Sequence, residues 1–381
     1  MIRIFICDKR NQFDKIIPQN KTFSTIKLNS FRSVFMRFLI LSLILTPFLA
    51  LSQSAVGSNG FAFLNGNYSA RSAAMGGKTI SIYDNDLSLA TDNPAILNEK
   101  MNGMIHVNQG LLPAGINFGA VNYAIKTKIG VFAPSVKYVN YGKFTETDET
   151  GRVLGSFSAT DFSVGTNFGR SLNKVIHLGA NFQFLGSNLD TYSAYGLSLG
   201  FGVLMTHPNE LISGGLTVRN IGFVFKEYTS NAKTSLPIDI QAAFSFKLKH
   251  APFRFSILGH HLNKWDIVYQ DPTLKPTFDA LTGDTIPVPV AGFGEKLANH
   301  FNFQLELLAS KSLQIRAGFD YHRRQQLKLI DRPGLAGFSF GVGMKFKKIS
   351  LDYGFMVFSK AGQNHSIGIS TQISDWLKKK N

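Results

Sequence analysis

A few groups of residues in this chain have types and spacings that could do chemistry. Residues Gly196 to Gly200 read GLSLG and fit the Gly-x-Ser-x-Gly nucleophile pattern. That pattern works only on a sharp strand-to-helix turn, and Ser198 stands inside an alternating strand, so a serine nucleophile is not expected. His260 and His261 are adjacent, and on a strand their rings point to opposite faces and cannot readily share a metal. Asp84 and Asp86 lack the glycine and distal glutamate of a calcium loop and read as helix-entry or turn residues. Arg323, Arg324, Lys328 and Arg332 form a basic cluster in a loop. Such a cluster suits phosphate or carboxylate recognition, and a solvated loop or generic lipopolysaccharide contact is its plainer reading. The single cysteine, Cys7, lies near the start, so the body of the chain offers no disulfide, zinc cluster or thiol nucleophile. The expectation is a protein that is not an enzyme, with no cofactor and no metal.

The elements that must position these residues have a period of two. In VIHLGANFQFLGSNLDTYSAYGLSLGFGVLM (175–205), Ile176, Leu178, Phe182 and Phe184, then Tyr195, Leu197, Leu199 and Phe201, alternate with Gly, Ser, Asn, Gln or His. Alternation of this kind marks strands with one oily and one small or polar face. It recurs in FSVGTNF, IQAAFSFKL, FNFQLEL, LQIRAGFDY and FSFGVGMKF, and more weakly in seven further segments, for about fourteen strands, many near the length a tilted membrane strand needs. The 35 glycines and 34 phenylalanines beside 17 % charged residues suit strands, not helices.

The links between strands fix the orientation. From the third onward, longer and shorter links mostly alternate: NYGKFTETDETGRVLGSFSAT (140–160), SNLDTYS (187–193), FVFKEYTSNAKTSLP, the segment from Asn263 to His300, and RRQQLKLIDRPGLAG are the longer ones. Tight turns on one rim and longer loops on the other describe an up-and-down transmembrane barrel, and closure satisfies backbone groups that lipid cannot. The fold class expected is all-β, a transmembrane antiparallel up-and-down β-barrel of about fourteen strands with an N-terminal plug segment. Its oily face points into lipid, and its glycine-rich face lines a lumen with room for something else. A soluble sandwich or lipocalin-like barrel explains neither the glycine lining nor the links.

Residues 53–103 lack sustained alternation, carry a possible short helix ending at Gly76-Gly77, and are expected to fill that lumen. Ahead of them, MRFLILSLILTPFLALSQ from Met36 has a basic residue, an apolar run broken by Pro47 and small residues before Gln53, and reads as a secretory signal. The expected organisation is therefore a leader over 1–52 (an extension 1–35 with Met36 as initiator, then the signal 36–52), a plug over 53–103, a barrel over 104–375 and a basic tail over 376–381. Removing the leader takes away eight basic and two acidic residues and lowers the net charge from +16 to +10. Anionic lipid or lipopolysaccharide head groups fit that charge; no basic helix or aromatic RNA-binding sheet supports nucleic acid as a partner.

FLNGNYSARSAAMGG and SIYDNDLSLATDNPAIL resemble the start of the PorQ family, outer-membrane components of the type IX secretion system of Bacteroidota. YVNYGKFTETDETGRVLGSFSATDFSV, HAPFRFSILGHHLNKWDI, YHRRQQLKLIDRPGLAGFSFGVGMKF and GQNHSIGIS extend the resemblance over about residues 53 to 375. Asn93-Pro94-Ala95 is shared more broadly with FadL-like barrels and would sit in the plug. The extension before Met36 and the tail WLKKKN depart from the pattern, since many outer-membrane barrels end on an aromatic residue, a part Trp376 can take. The resemblance implies a fourteen-stranded FadL-like barrel, non-catalytic, working with PorV, PorU and PorZ in attaching secreted cargo to the cell surface. The alternative is a FadL-like channel for hydrophobic solutes, or a small porin.

Overall fold

The computed structural model describes residues 60–268, 275–278, 281–288, 290–328, 334–359 and 362–377. The expected leader, Arg332 and the last tail residues lie outside the described residues. The described chain from Met104 onward forms a closed antiparallel barrel of fourteen strands. In chain order they are β1 Met104–Leu111, β2 Asn117–Tyr123, β3 Val131–Thr147, β4 Val153–Ser171, β5 Ile176–Leu189, β6 Tyr192–Thr206 and β7 Ile212–Lys226. They continue as β8 Asp239–Lys247, β9 Phe253–Gly259, β10 Phe301–Leu307, β11 Leu313–Asp320, β12 Phe338–Phe346, β13 Ile349–Ser359 and β14 Gly362–Gln372. A short piece, Ile125–Lys126, carries β2 on past Ala124, and both pieces pair with β3. Each strand pairs with its sequence neighbour, and β14 closes the ring on β1 from Met104↔Gln372 to Leu111↔His365. No edge is left unpaired, which lipid requires.

The alternation decides what faces out. Phe182 is 46 % exposed while its neighbour Gln183 is 7 %, and the same holds around the ring: Val107, Leu199, Phe244, Ile257, Phe303, Ile315 and Ile369 are exposed, and Asn108, Ser198, Ser245, Ser256, Asn302, Arg316 and Ser370 are buried. An oily exterior over a polar interior inverts the arrangement of a soluble protein and matches a wall solvated by hydrocarbon.

Six tight turns (127–130, 172–175, 207–211, 248–252, 308–312 and 347–348) gather at one rim, with the start of β1 and the end of β14. The long links 227–238, 260–300 and 321–337 all leave the other rim. Two links expected to be loops differ. Residues 140–160 are mostly the ends of β3 and β4, seventeen and nineteen residues long, which pair beyond the neighbouring strands and turn only over 148–152. Residues 187–193 likewise stay in the ladder except at Asp190-Thr191. Polar side chains on both faces hid these extensions, because strands outside the lipid need no oily face.

Residues 60–103 carry no strand and lie in the lumen. They form a helix, α1 Ala70–Ala74, and short 3-10 turns at Ala62–Asn65, Leu87–Thr91, Pro94–Ile96 and Glu99–Met101. Ser69 caps α1, and Asp86, Asn93 and Asn98 each accept from a backbone N–H two residues on, the short-range caps that let polar side chains stop and restart the chain. Gly76, at φ +76°, ends α1 where the sequence suggests. Among the described residues no helix is long and apolar enough to cross a membrane, which says nothing about strands.

Candidate functional site

The plug is seated backbone against wall, and glycine makes that possible. A methyl group at Gly179 on β5 would fall 2.2 Å from the Ala95 nitrogen, one at Gly202 on β6 2.0 Å from Asn93 Oδ1, and one at Gly169 on β4 2.6 Å from the Pro94 carbonyl oxygen. Gly215, Gly318 and Gly354 approach the backbones of Ile80, Met75 and Ala70 as closely. Asn93-Pro94-Ala95 therefore lies in a groove of three adjacent strands. Asn93 Nδ2 donates to the Ile80 carbonyl at 2.7 Å, and its Oδ1 accepts from Ala95 N at 3.0 Å. Behind it, Ile82, Leu87, Leu89, Ile96, Leu97 and Met101 make a core with Ala124, Val131, Ala133 and Leu204 of the wall.

A buried ion network ties the plug to the opposite wall. Glu306 on β10 is fully buried and accepts from Arg71 of α1 (Nε 2.9 Å, Nη2 3.0 Å), Arg254 of β9 (2.8 Å) and Arg316 of β11 (3.0 Å). Arg71 also reaches Asp84 at 2.7 Å and Asp86 at 2.9 Å, Arg254 reaches Asp84 at 2.9 Å, and Arg316 pairs with Asp352. Burial alone would raise the Asp84 and Asp86 carboxyls. The guanidiniums outweigh it, Arg254 and Arg71 for Asp84 and Arg71 for Asp86, and hold both below the usual carboxylate range. Asp84 and Asp86 thus serve a salt network as well as the turn that their spacing suggests. Glu306, Arg254 and Arg316 were legible as charges on the inward phase of FNFQLEL, FRFSILG and LQIRAGFDY, although their convergence was not.

At the rim with the long loops, the basic cluster does not converge. Asp320 caps α2, Tyr321–Leu327, by accepting from Arg323 N at 2.8 Å, and the helix sends its cations apart. Arg324 Nη1 donates to the carbonyls of Gly334 and Ala336, clamping the returning loop, and Lys328 is exposed. Arg323 turns inward over the Phe358 ring, 5.9 Å from its centroid. There it borders two cavities of about 340 Å³ each. One is polar, with Lys78, Asp239, Gln241, His260, His261 and His322; the other is largely apolar, with Phe63, Tyr68, Phe118, Tyr141, Met356 and Phe358. Asn65, Asn67 and Arg323 line both.

His260 and His261 depart from the opposed placement expected of strand neighbours. β9 ends at Gly259, and His261 takes φ +54°, which brings the two Nδ1 atoms to 2.8 Å, with the His322 ring about 6 Å from both. Burial pushes His260 and His322 down to about 4, so both are neutral at neutral pH. Even so, no group of His, Cys, Asp or Glu among the described residues is arranged to hold a metal ion. Ser198 lies in mid-strand, paired with Gln183 and Gly222. A larger cavity, about 770 Å³, opens at the tight-turn rim between Tyr83, Asp84, His177, His207, Lys247 and Arg254.

No protein-family model matches the chain, and no curated protein does. Solved structures do. The Pseudomonas putida toluene transporter TodX is 11 % identical, over 80 % of this chain and 96 % of its own, with a TM-score of 0.46. The CymD monoaromatic hydrocarbon channel is 12 % identical, over 80 % and 96 %, at 0.45, and a Pseudomonas aeruginosa FadL homologue 10 %, over 80 % and 98 %, at 0.44. The fold assignment rests on this chain's own register and closure.

Proposed function

We propose that this chain is an outer-membrane channel for small, largely apolar solutes, gated by its plug. The observation that carries this reading is the apolar cavity of about 340 Å³ where Phe63 and Tyr68 of the plug meet Phe118, Tyr141 and Phe358. Its size is at the small end of ligand pockets, which run to about 300–1,000 Å³. Tight turns belong to the periplasmic rim of outer-membrane barrels and long loops to the outer rim, so the cavity is open to solutes outside the cell. Lipid of the outer membrane contacts the exposed apolar girdle, and Lys348 over the Trp376 ring at 4.9 Å gives the periplasmic rim an interfacial anchor. A solute in the cavity next meets the buried plug, so passage requires the plug to shift. Uptake of toluene into proteoliposomes above the protein-free rate supports the channel; uptake equal to that of protein-free vesicles, with the plug deleted as well as present, rejects it.

A second reading, a non-catalytic component of type IX secretion acting with PorV, PorU and PorZ near lipopolysaccharide, is supported by the resemblance of residues 53 to 375 and by the locked seat of the plug, which suits a scaffold that need not conduct. A deletion strain should then lose surface-anchored cargo. Removing residues 272–292 from the long rim loop should leave the barrel folded and weaken partner capture; unchanged co-purification of secretion partners would reject that role for the loop.

A further inference from the structure

Arg323 carries a guanidinium nitrogen, Nη1, that is shielded from water and has no hydrogen-bond partner among the described residues, with the Asp320 carboxylate acting on it only through space. Its half-buried side chain is held inward, over the face of the Phe358 ring. Burial draws its pKa below the ordinary arginine value, yet a guanidinium stays charged in proteins. Neither carboxylate bordering the polar cavity accepts a hydrogen bond from the Arg323 guanidinium, and both have other donors. Asp320 Oδ1 accepts from Arg323 N and its Oδ2 lies 3.8 Å from His260 Nε2, while Asp239 accepts from His261 N and Gln241 Nε2. Deeper in the lumen, Lys137 and Arg219 are buried, and neither forms an ion pair among the described residues. An unsatisfied guanidinium donor therefore stands at the border between a polar cavity and an aromatic one. A donor shielded from water without a partner is costly, and an acceptor of opposite charge would complete it.

We infer that these neighbouring cavities, which share Arg323 in their lining, bind a compact aromatic monocarboxylate, its carboxylate on the Arg323 guanidinium and its ring among Phe63, Tyr68, Phe118 and Phe358. A planar carboxylate matches the fork of arginine donors, and the aromatic lining suits a ring. This deepens the channel reading and rests on it for which rim meets the solute. The aromatic lining favours a compact ring over an acyl chain, so the same carboxylate chemistry arriving as a membrane-derived fatty acid is a separate case.

The test is equilibrium binding of benzoate, toluene and laurate to the detergent-solubilised full chain, with heat-modifiable mobility on gels confirming the folded barrel. Benzoate should bind at least about tenfold tighter than toluene, the neutral molecule of similar shape. Arg323→Met should remove that preference by weakening benzoate binding more than toluene binding, and Arg323→Lys should retain part of it; if Arg323→Met does not fold, Arg323→Gln serves the same comparison. Equal binding of benzoate and toluene, benzoate binding unchanged by the substitutions, or laurate as the preferred ligand would each overturn the inference. Benzoate that binds without crossing proteoliposomes would remove the channel reading and leave the site standing, whereas toluene and benzoate crossing with no preference would do the reverse.

Discussion

Replacing Arg71 by Met removes the one plug side chain that spans from α1 to the wall at Glu306. Arg71 is 2 % exposed and bonds three carboxylates, Glu306, Asp84 and Asp86. Glu306 keeps Arg254 and Arg316, and Asp84 keeps Arg254, but Asp86 loses its cation and retains only the Ser88 N–H at 3.0 Å. Removing one partner of a buried ion pair costs about 3–5 kcal/mol, and at about 1.4 kcal/mol per tenfold the ratio of seated to released plug should fall about a hundred- to several thousand-fold. The barrel ladder is untouched, so the variant should still migrate as a folded barrel. In planar bilayers it should show frequent openings that the parent lacks, and added protease should cut within 60–103.

The pH dependence of that experiment has a definite sign. In the parent, Asp84 and Asp86 are held below their unfolded value of about 3.9. Their contribution to seating is therefore fully present above that value and is lost as pH falls through the lower folded values. In Arg71→Met, burial at Asp86 is opposed only by the Ser88 N–H and the neighbouring His106, so the carboxyl shifts toward its neutral form and acid should partly restore the seat. Acid thus loosens the parent and tightens the variant. A variant that stays closed and protease-resistant at neutral pH, or that opens further in acid, would refute the ion network as the plug's tether.

The glycine groove and the Asn93 motif give two more expectations. Gly179→Ala places a methyl 2.2 Å from Ala95 N and should weaken plug seating by about 1–3 kcal/mol; Gly214→Ala, whose methyl finds its nearest neighbour at 3.7 Å, should be neutral in the same protease assay. Asn93→Ala leaves the Ile80 carbonyl and the Ala95 N–H without their buried partners and should cost about 1–3 kcal/mol in the same assay. Asn93→Asp, which can accept from Ala95 but cannot donate to Ile80, should fall between; equal protease resistance of all three proteins would count against the motif as a seat.

The sequence by itself determined the wall. Alternation such as Phe182 beside Gln183 is a local property of a strand, and glycine on the inward phase already announced a close neighbour, because nothing else explains a face without side chains. Polar hairpin ends beyond the lipid, as in 140–160, escaped this reading, since no solvent boundary there enforces an oily face. Which partners meet across the lumen was decided only by the tertiary fold: Glu306 and Arg316 are register partners on β10 and β11, but Arg71 stands 235 residues before Glu306 and reaches it only because the plug is seated inside the closed wall. The same holds at the rim, where Arg323 and Arg324 are neighbours in sequence, yet one turns of a short helix sends the first into a cavity and the second onto a loop backbone. Charge type is written in the chain, but the direction a long side chain takes depends on the packed surroundings that desolvate it.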